Sequence, residues 1–180
     1  MRLELKDIKR GALEQDYSCS LIEFPDLIEI AEDGGPKFSE PLTFHLRFQR
    51  SGQFVEVDAC LGAVVVLQCG RCLQGFEQSL TESFTLTFVP QLKRSETEEE
   101  VELEADELGL IVYEDEILEL QEALQEQLLL AVPISPTCNA SCRGLCPTCG
   151  INLNVEKCDC DRRPFNNKFT VLAKIDFKKS

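Results

Sequence analysis

Between residues 142 and 160 the chain reads CRGLCPTCGINLNVEKCDC, five thiols in nineteen positions, and the whole chain carries ten cysteines against a single histidine. Thiolates two or three residues apart converge on one tetrahedral ion without strain, and Pro and Gly in the intervening turn assist. Cys146-Pro147-Thr148-Cys149-Gly150 has that form. Pro147 stiffens the turn, and Gly150 can take a positive φ just after the second ligand. A second pair, Cys158 and Cys160, follows a short loop. The preferred metal site is therefore Cys146, Cys149, Cys158 and Cys160, in the manner of a zinc ribbon. Cys69 and Cys72 in CGRC, with Cys138 and Cys142, leave another set of four. A second site joining the two halves of the chain is open, as is one zinc drawn from the six C-terminal thiols or an iron–sulfur cluster; spacing does not decide among them. Cys19 and Cys60 lack neighbouring partners and read as small apolar core residues.

A four-thiolate zinc has no vacant position for water or substrate, so the expected metal, one or two per chain, is structural. The rival use of Cys69 and Cys72 is thiol–disulfide chemistry. That motif favours a helix N-terminus, where the dipole lowers a thiol pKa; here the pair falls between two strand patterns. His45 lies on the polar face of a predicted strand, and no nucleophile–base pair or phosphate-binding glycine loop is present. The expectation is a protein that is not an enzyme, with no catalytic residue.

The elements that must position these thiols are β-rich. In LTFHLRFQR, Leu42, Phe44, Leu46 and Phe48 alternate with polar residues. Ser51-Gly52 then turns the chain into a strand with Val55, Val57, Ala59, Leu61, Ala63, Val65 and Leu67 in register, ending at Cys69. A third strand runs through Phe84, Leu86 and Phe88 to Pro90, giving a three-stranded antiparallel meander. MRLELKDI and SLIEF could each add an edge strand or a helix, and LGLIVY a short strand. Residues 114–132 place Ile117, Leu120, Leu124, Leu128 and Ala131 at helical spacing before Pro133, with acids in the first turn. The fold class is α+β: an antiparallel meander or barrel-like sheet packed by one main helix, followed by a cysteine-rich, zinc-ribbon-like segment. Residues 1–137 form the body, with an acidic loop near 93–107; residues 138–180 form the metal-binding tail, in which Phe169, Leu172 and Ile175 read as core.

Charge divides along the same boundary. The net charge is −14, but residues 1–137 hold 28 acids and 10 bases while residues 138–180 hold 4 and 8. Contact with a polyanion is therefore expected from the tail, through Arg143, Lys157, Arg162, Arg163 and Lys168. The acidic body would suit a basic protein instead. The N-terminus lacks the apolar run of a signal peptide, and no segment approaches membrane-helix length. Structural disulfides are rare where thiols stay reduced, so clustered thiols point to metal in a soluble protein of a reducing cytoplasm.

VVVLQCGRCLQGF, then EALQEQLLLAVPISPTC, CRGLCPTCGINLN and CDC resemble, in order and spacing, the YceD family of large ribosomal RNA subunit accumulation proteins, over about Leu42 to Ile175. Gly144 to Asn154 is similar to the segment of its cysteine-rich members. The resemblance implies a β-rich domain and a role in accumulation or processing of large-subunit ribosomal RNA. Its partner would be that RNA or a precursor particle; the alternative, read from the acidic body, is an interaction module for a basic ribosomal protein or assembly factor.

Overall fold

The computed structural model describes residues 1–8, 12–91 and 109–160. The long alternating runs form the expected hairpins: β3 (Lys37–Ser51), β4 (Phe54–Gln68) and β5 (Gly75–Pro90) are antiparallel neighbours. The turn between β3 and β4 uses Gly52 at φ 65°, a conformation that glycine adopts without a Cβ clash. Pairing of β3 with β4 is interrupted between Ser39 and Thr43, at Pro41, which has no N–H to donate.

The three-stranded meander is present and is extended on both sides, by the short strand expected in LGLIVY and by one at 12–19 that the sequence patterns do not mark. β2 (Ala12–Cys19) adds antiparallel to β3, and β6 (Leu110–Tyr113) adds parallel to β5, giving a mixed sheet in the order β2-β3-β4-β5-β6. Parallel pairing requires a long return connection, and the run between Pro90 and Leu110 supplies the length. The described residues are mostly β with two short helices rather than one main helix: α1 (Pro25–Glu32) and α2 (Gln121–Leu130). Pro25 stands in the first turn of α1, where its missing N–H costs nothing.

The helix expected over 114–132 begins at Gln121 instead. Asp115 (φ 50°) and Glu116 (φ 59°) turn the chain through the left-handed region, and β7 (Ile117–Glu119) pairs with β1 (Arg2–Glu4). This pairing buries Leu3 and Leu118. Acids in a first turn contribute only about 0.3–1 kcal/mol to a helix, too little to compete with that burial. Of the two N-terminal segments, the first thus supplies a strand, while Leu21–Glu23 forms a 3-10 turn capped by Ser20.

One face of the sheet and both helices share a core. Phe44, Phe48, Val55, Val57, Leu61, Val65 and Phe88 lie in it with Leu27, Leu124 and Leu128. The other face is polar and solvated. There His45 Nδ1 meets Asp16 Oδ1 at 2.7 Å, and Asp58 accepts from Gln49 and Thr85. Cys19 is buried, but Cys60 is only half-buried because strand alternation places it on the polar face between Ala59 and Leu61. Residues 93–107, with the acidic run, and 161–180, with Phe169, Leu172 and Ile175, lie outside the described residues.

Candidate metal centre

Strand alternation carries the inward face of β4 one step past Leu67 to Cys69, which is fully buried. The chain then reverses through a tight turn into β5. Leu73 N–H donates to Cys69 O at 2.9 Å and Cys69 N–H to Gln74 O at 2.9 Å, with Leu73 at φ 59°. The turn at Cys146 repeats this pattern. Gly150 N–H donates to Cys146 O at 2.9 Å and Cys146 N–H to Ile151 O at 2.8 Å, with Gly150 at φ 76°. Two segments remote in sequence thus share one knuckle geometry. Gly150 takes the positive φ that the CPTCG spacing anticipates, whereas at the first knuckle Leu73 takes it without glycine's freedom.

All ten cysteines carry free thiols, and eight of them gather as two tetrads. Cys69, Cys72, Cys138 and Cys142 form the first; Cys146, Cys149, Cys158 and Cys160 form the second. Within each tetrad the sulfurs lie within 4.8 Å of one another. In the first, Cys69 Sγ is 3.8 Å from Cys142 Sγ and Cys72 Sγ is 3.8 Å from Cys138 Sγ. Four sulfurs about 2.3 Å from a central zinc stand about 3.8 Å apart, so this spacing fits a tetrahedral dication of that size.

The electrostatics of the thiols fit the same group. The Cys138, Cys72 and Arg71 amides hold the Cys69 thiol down at about 6, and the Cys149 and Thr148 amides do the same for Cys146, also at about 6. Burial and the Cys142 thiol raise Cys138 to about 12; the Cys149 thiol and burial raise Cys160 to about 12. Each tetrad therefore favours its first thiolate and resists the last, because neighbouring negative charges oppose one another. A divalent cation removes that opposition and lets all four ionise. At neutral pH its binding must release the protons held by Cys138 and Cys160, so affinity rises with pH.

The first tetrad joins the sheet to the C-terminal segment. Gly70 N–H donates to Pro136 O at 2.8 Å, Arg71 Nη1 donates to Cys142 O at 3.2 Å, and Leu145 N–H donates to Arg71 O at 3.0 Å. Phe76 on β5 packs against both the main core and the buried thiols Cys69, Cys72 and Cys142. Cys142 Sγ also receives Asn154 Nδ2 at 3.3 Å.

Arg71, Leu73, Gly144 and Asn154 contact or shape the first tetrad and were passed over by sequence reasoning. Only Gly144 carries a readable signal, a glycine between closely spaced ligands. It sits at φ 72°, and a Cβ there would lie 2.9 Å from Arg71 O. Gly144→Ala should cost about 1–3 kcal/mol and lower the first centre's metal affinity. Chelator competition checks this, and unchanged affinity would show that the Arg71 contact does not support the site. Of the basic candidates, Arg143, next to the first-tetrad ligand Cys142, and Lys157, next to the second-tetrad ligand Cys158, are exposed. Arg162, Arg163 and Lys168 lie outside the described residues.

The family model described as large ribosomal RNA subunit accumulation protein YceD matches residues 57–176. The chain belongs to the YceD family. A protein of Mycobacterium tuberculosis named only as uncharacterized is 34% identical over 116 residues, covering 64% of this chain and 53% of its own. The large ribosomal RNA subunit accumulation protein YCED homolog 1, chloroplastic, of Arabidopsis thaliana is 24% identical over 155 residues, 70% of this chain and 46% of its own. The protein of the same name from Zea mays is 26% identical over 140 residues, 61% and 45%. This YceD chain spans about half the length of these relatives. No solved structure matches it significantly. Among the described residues no helix is long and apolar enough to cross a membrane.

Proposed function

We propose that this YceD-family protein is a non-enzymatic factor that supports assembly of the large ribosomal subunit, through accumulation or processing of large-subunit ribosomal RNA. The family match over residues 57–176 carries this reading, since it spans both halves of the first tetrad and all of the second. Plant relatives bear the corresponding name. Zinc, one ion per tetrad, is the metal that sulfur ligands at this spacing suit best. With four protein ligands it would leave no open position for substrate, which supports a structural role.

The ions would turn the tail into a rigid platform that presents Arg143 and Lys157 to phosphate. Arg162, Arg163 and Lys168 continue the same basic run in sequence. Ten free thiols suit action in a reducing cytoplasm. Thiol oxidoreductase activity gains no support. Cys69 and Cys72 sit in the turn from β4 to β5 rather than at the start of a helix, and their sulfurs face two further thiols.

Depletion of the protein in its host tests the function. The ratio of large-subunit to small-subunit ribosomal RNA should fall and precursor particles should accumulate, with recovery on re-expression. An unchanged ratio with normal subunit profiles would overturn the assembly role.

A further inference from the structure

The loop between the two ligand pairs of the second tetrad folds back onto the first. Leu145 and Asn152 form an antiparallel bridge, and Leu153 N–H donates to Gly144 O at 2.9 Å. Asn152 Oδ1 accepts from Asn154 N–H at 2.9 Å and from Asn154 Nδ2 at 2.8 Å, fixing the orientation of the Asn154 amide. That amide reaches the other centre twice: Oδ1 accepts from Arg143 N–H at 2.8 Å, and Nδ2 donates to Cys142 Sγ at 3.3 Å. Asn154 therefore belongs by chain to the second tetrad and by hydrogen bonding to a ligand of the first.

We propose that the two tetrads bind metal as one coupled unit, in which filling the second centre raises the affinity of the first, and that Asn154 is the positioning residue through which the coupling passes. The inference rests on the tetrads being metal centres and adds an order to their loading. The second centre draws all four ligands from residues 146–160 and includes the exposed Cys149, so it can assemble locally. The first needs Cys69 and Cys72 brought to Cys138 and Cys142 by the finished sheet. Once the second is closed, the loop at 151–154 is held between its ligand pairs, and the Asn154 amide is presented to Cys142 at no further entropic cost. A hydrogen bond to a thiolate ligand favours its charged form and orients it; losing such a partner typically lowers metal affinity about 10- to 100-fold. Coupling between binding sites is reciprocal, so occupancy of the first centre must equally strengthen the second.

The test uses the full chain and Co²⁺ alone as probe, with chelator competition read by thiolate–cobalt absorption. Two Co²⁺ per unmodified chain establish the centres; fewer would fail the two-centre reading itself, and the coupling with it. Given two, the first-centre affinity is then measured in C146S/C149S, in N154A, which leaves every ligand in place, and in the triple variant. The expected result is a loss of about 10- to 100-fold in both C146S/C149S and N154A, with the triple variant no weaker than the weaker of the two. Full first-centre affinity in C146S/C149S would overturn the coupling while leaving two independent metal sites. Weakening in C146S/C149S but not in N154A, or strictly additive losses, would overturn the assignment to Asn154.

Discussion

Stripping both centres with a strong chelator should release residues 138–160 from the body while the five-stranded sheet stays folded. The two parts rest on different interactions. The sheet, α1 and α2 bury a continuous set of aliphatic and aromatic side chains in one core, whereas the first tetrad forms a separate small cluster of Cys69, Cys72 and Cys142 with Phe76 and Cys138 against it. Residues 138–160 contribute no member of the main core, and their largest buried apolar side chain is Leu153. A segment this poor in apolar burial cannot offset the conformational entropy of ordering it without a staple. Structural zinc in a small site supplies about 10–16 kcal/mol at neutral pH, and its removal returns that stabilisation. Protease digestion with hydrogen exchange reads the result: after chelation, cleavage should concentrate in 138–160 and protection should persist in β3, β4 and β5. Unchanged resistance of 138–160 without metal would show that protein contacts alone hold the segment.

Phe44→Ala should have the opposite signature, lowering the stability of the body by about 3–5 kcal/mol while the metal content stays the same. Phe44 is 2% exposed on β3, and its ring centroid lies 6.0 Å from that of fully buried Phe24, which leads into α1. Truncation removes the aromatic contact and leaves a cavity between sheet and helix that rigid β3 cannot close. Domains of this size are stable by only about 5–15 kcal/mol, so the loss is a large fraction of the total. Denaturant unfolding followed by far-UV circular dichroism measures it, with the metal per chain determined on the folded fraction. A loss below about 1 kcal/mol would mean that the core refills the space, and metal loss in the folded protein would mean that the two parts are less separable than their contacts indicate.

Legibility followed the range of the interactions. The β3–β4 hairpin was readable because its alternation is long and its register is set by a turn of two residues, Gly52 and Gln53. β7 was not: three residues carry no periodicity of their own, and Ile117–Glu119 forms a strand only because Arg2–Glu4 lies beside it. Acids at 114–116 looked like a helix start, yet two of them occupy the left-handed turn that enters that strand. The parallel placement of β6 depends likewise on its meeting with Thr87–Pro90.

At the cysteine tetrads the division is sharper. Pairing of Cys69 with Cys72 and of Cys146 with Cys149 follows from spacing alone, because a turn of four residues brings its ends within reach of one ion. Which pair faces which is a matter of tertiary structure. Cys69 meets Cys142 across 73 positions of sequence and Cys72 meets Cys138 across 66, and nothing local distinguishes that partition from one zinc shared among the six C-terminal thiols. Asn154 lay further still from view, since an amide hydrogen bond to a thiolate 12 positions away leaves no mark in composition or period. Local spacing determines the parts of the site; the finished sheet, by bringing the end of β4 to residues 136–145, decides how they are joined.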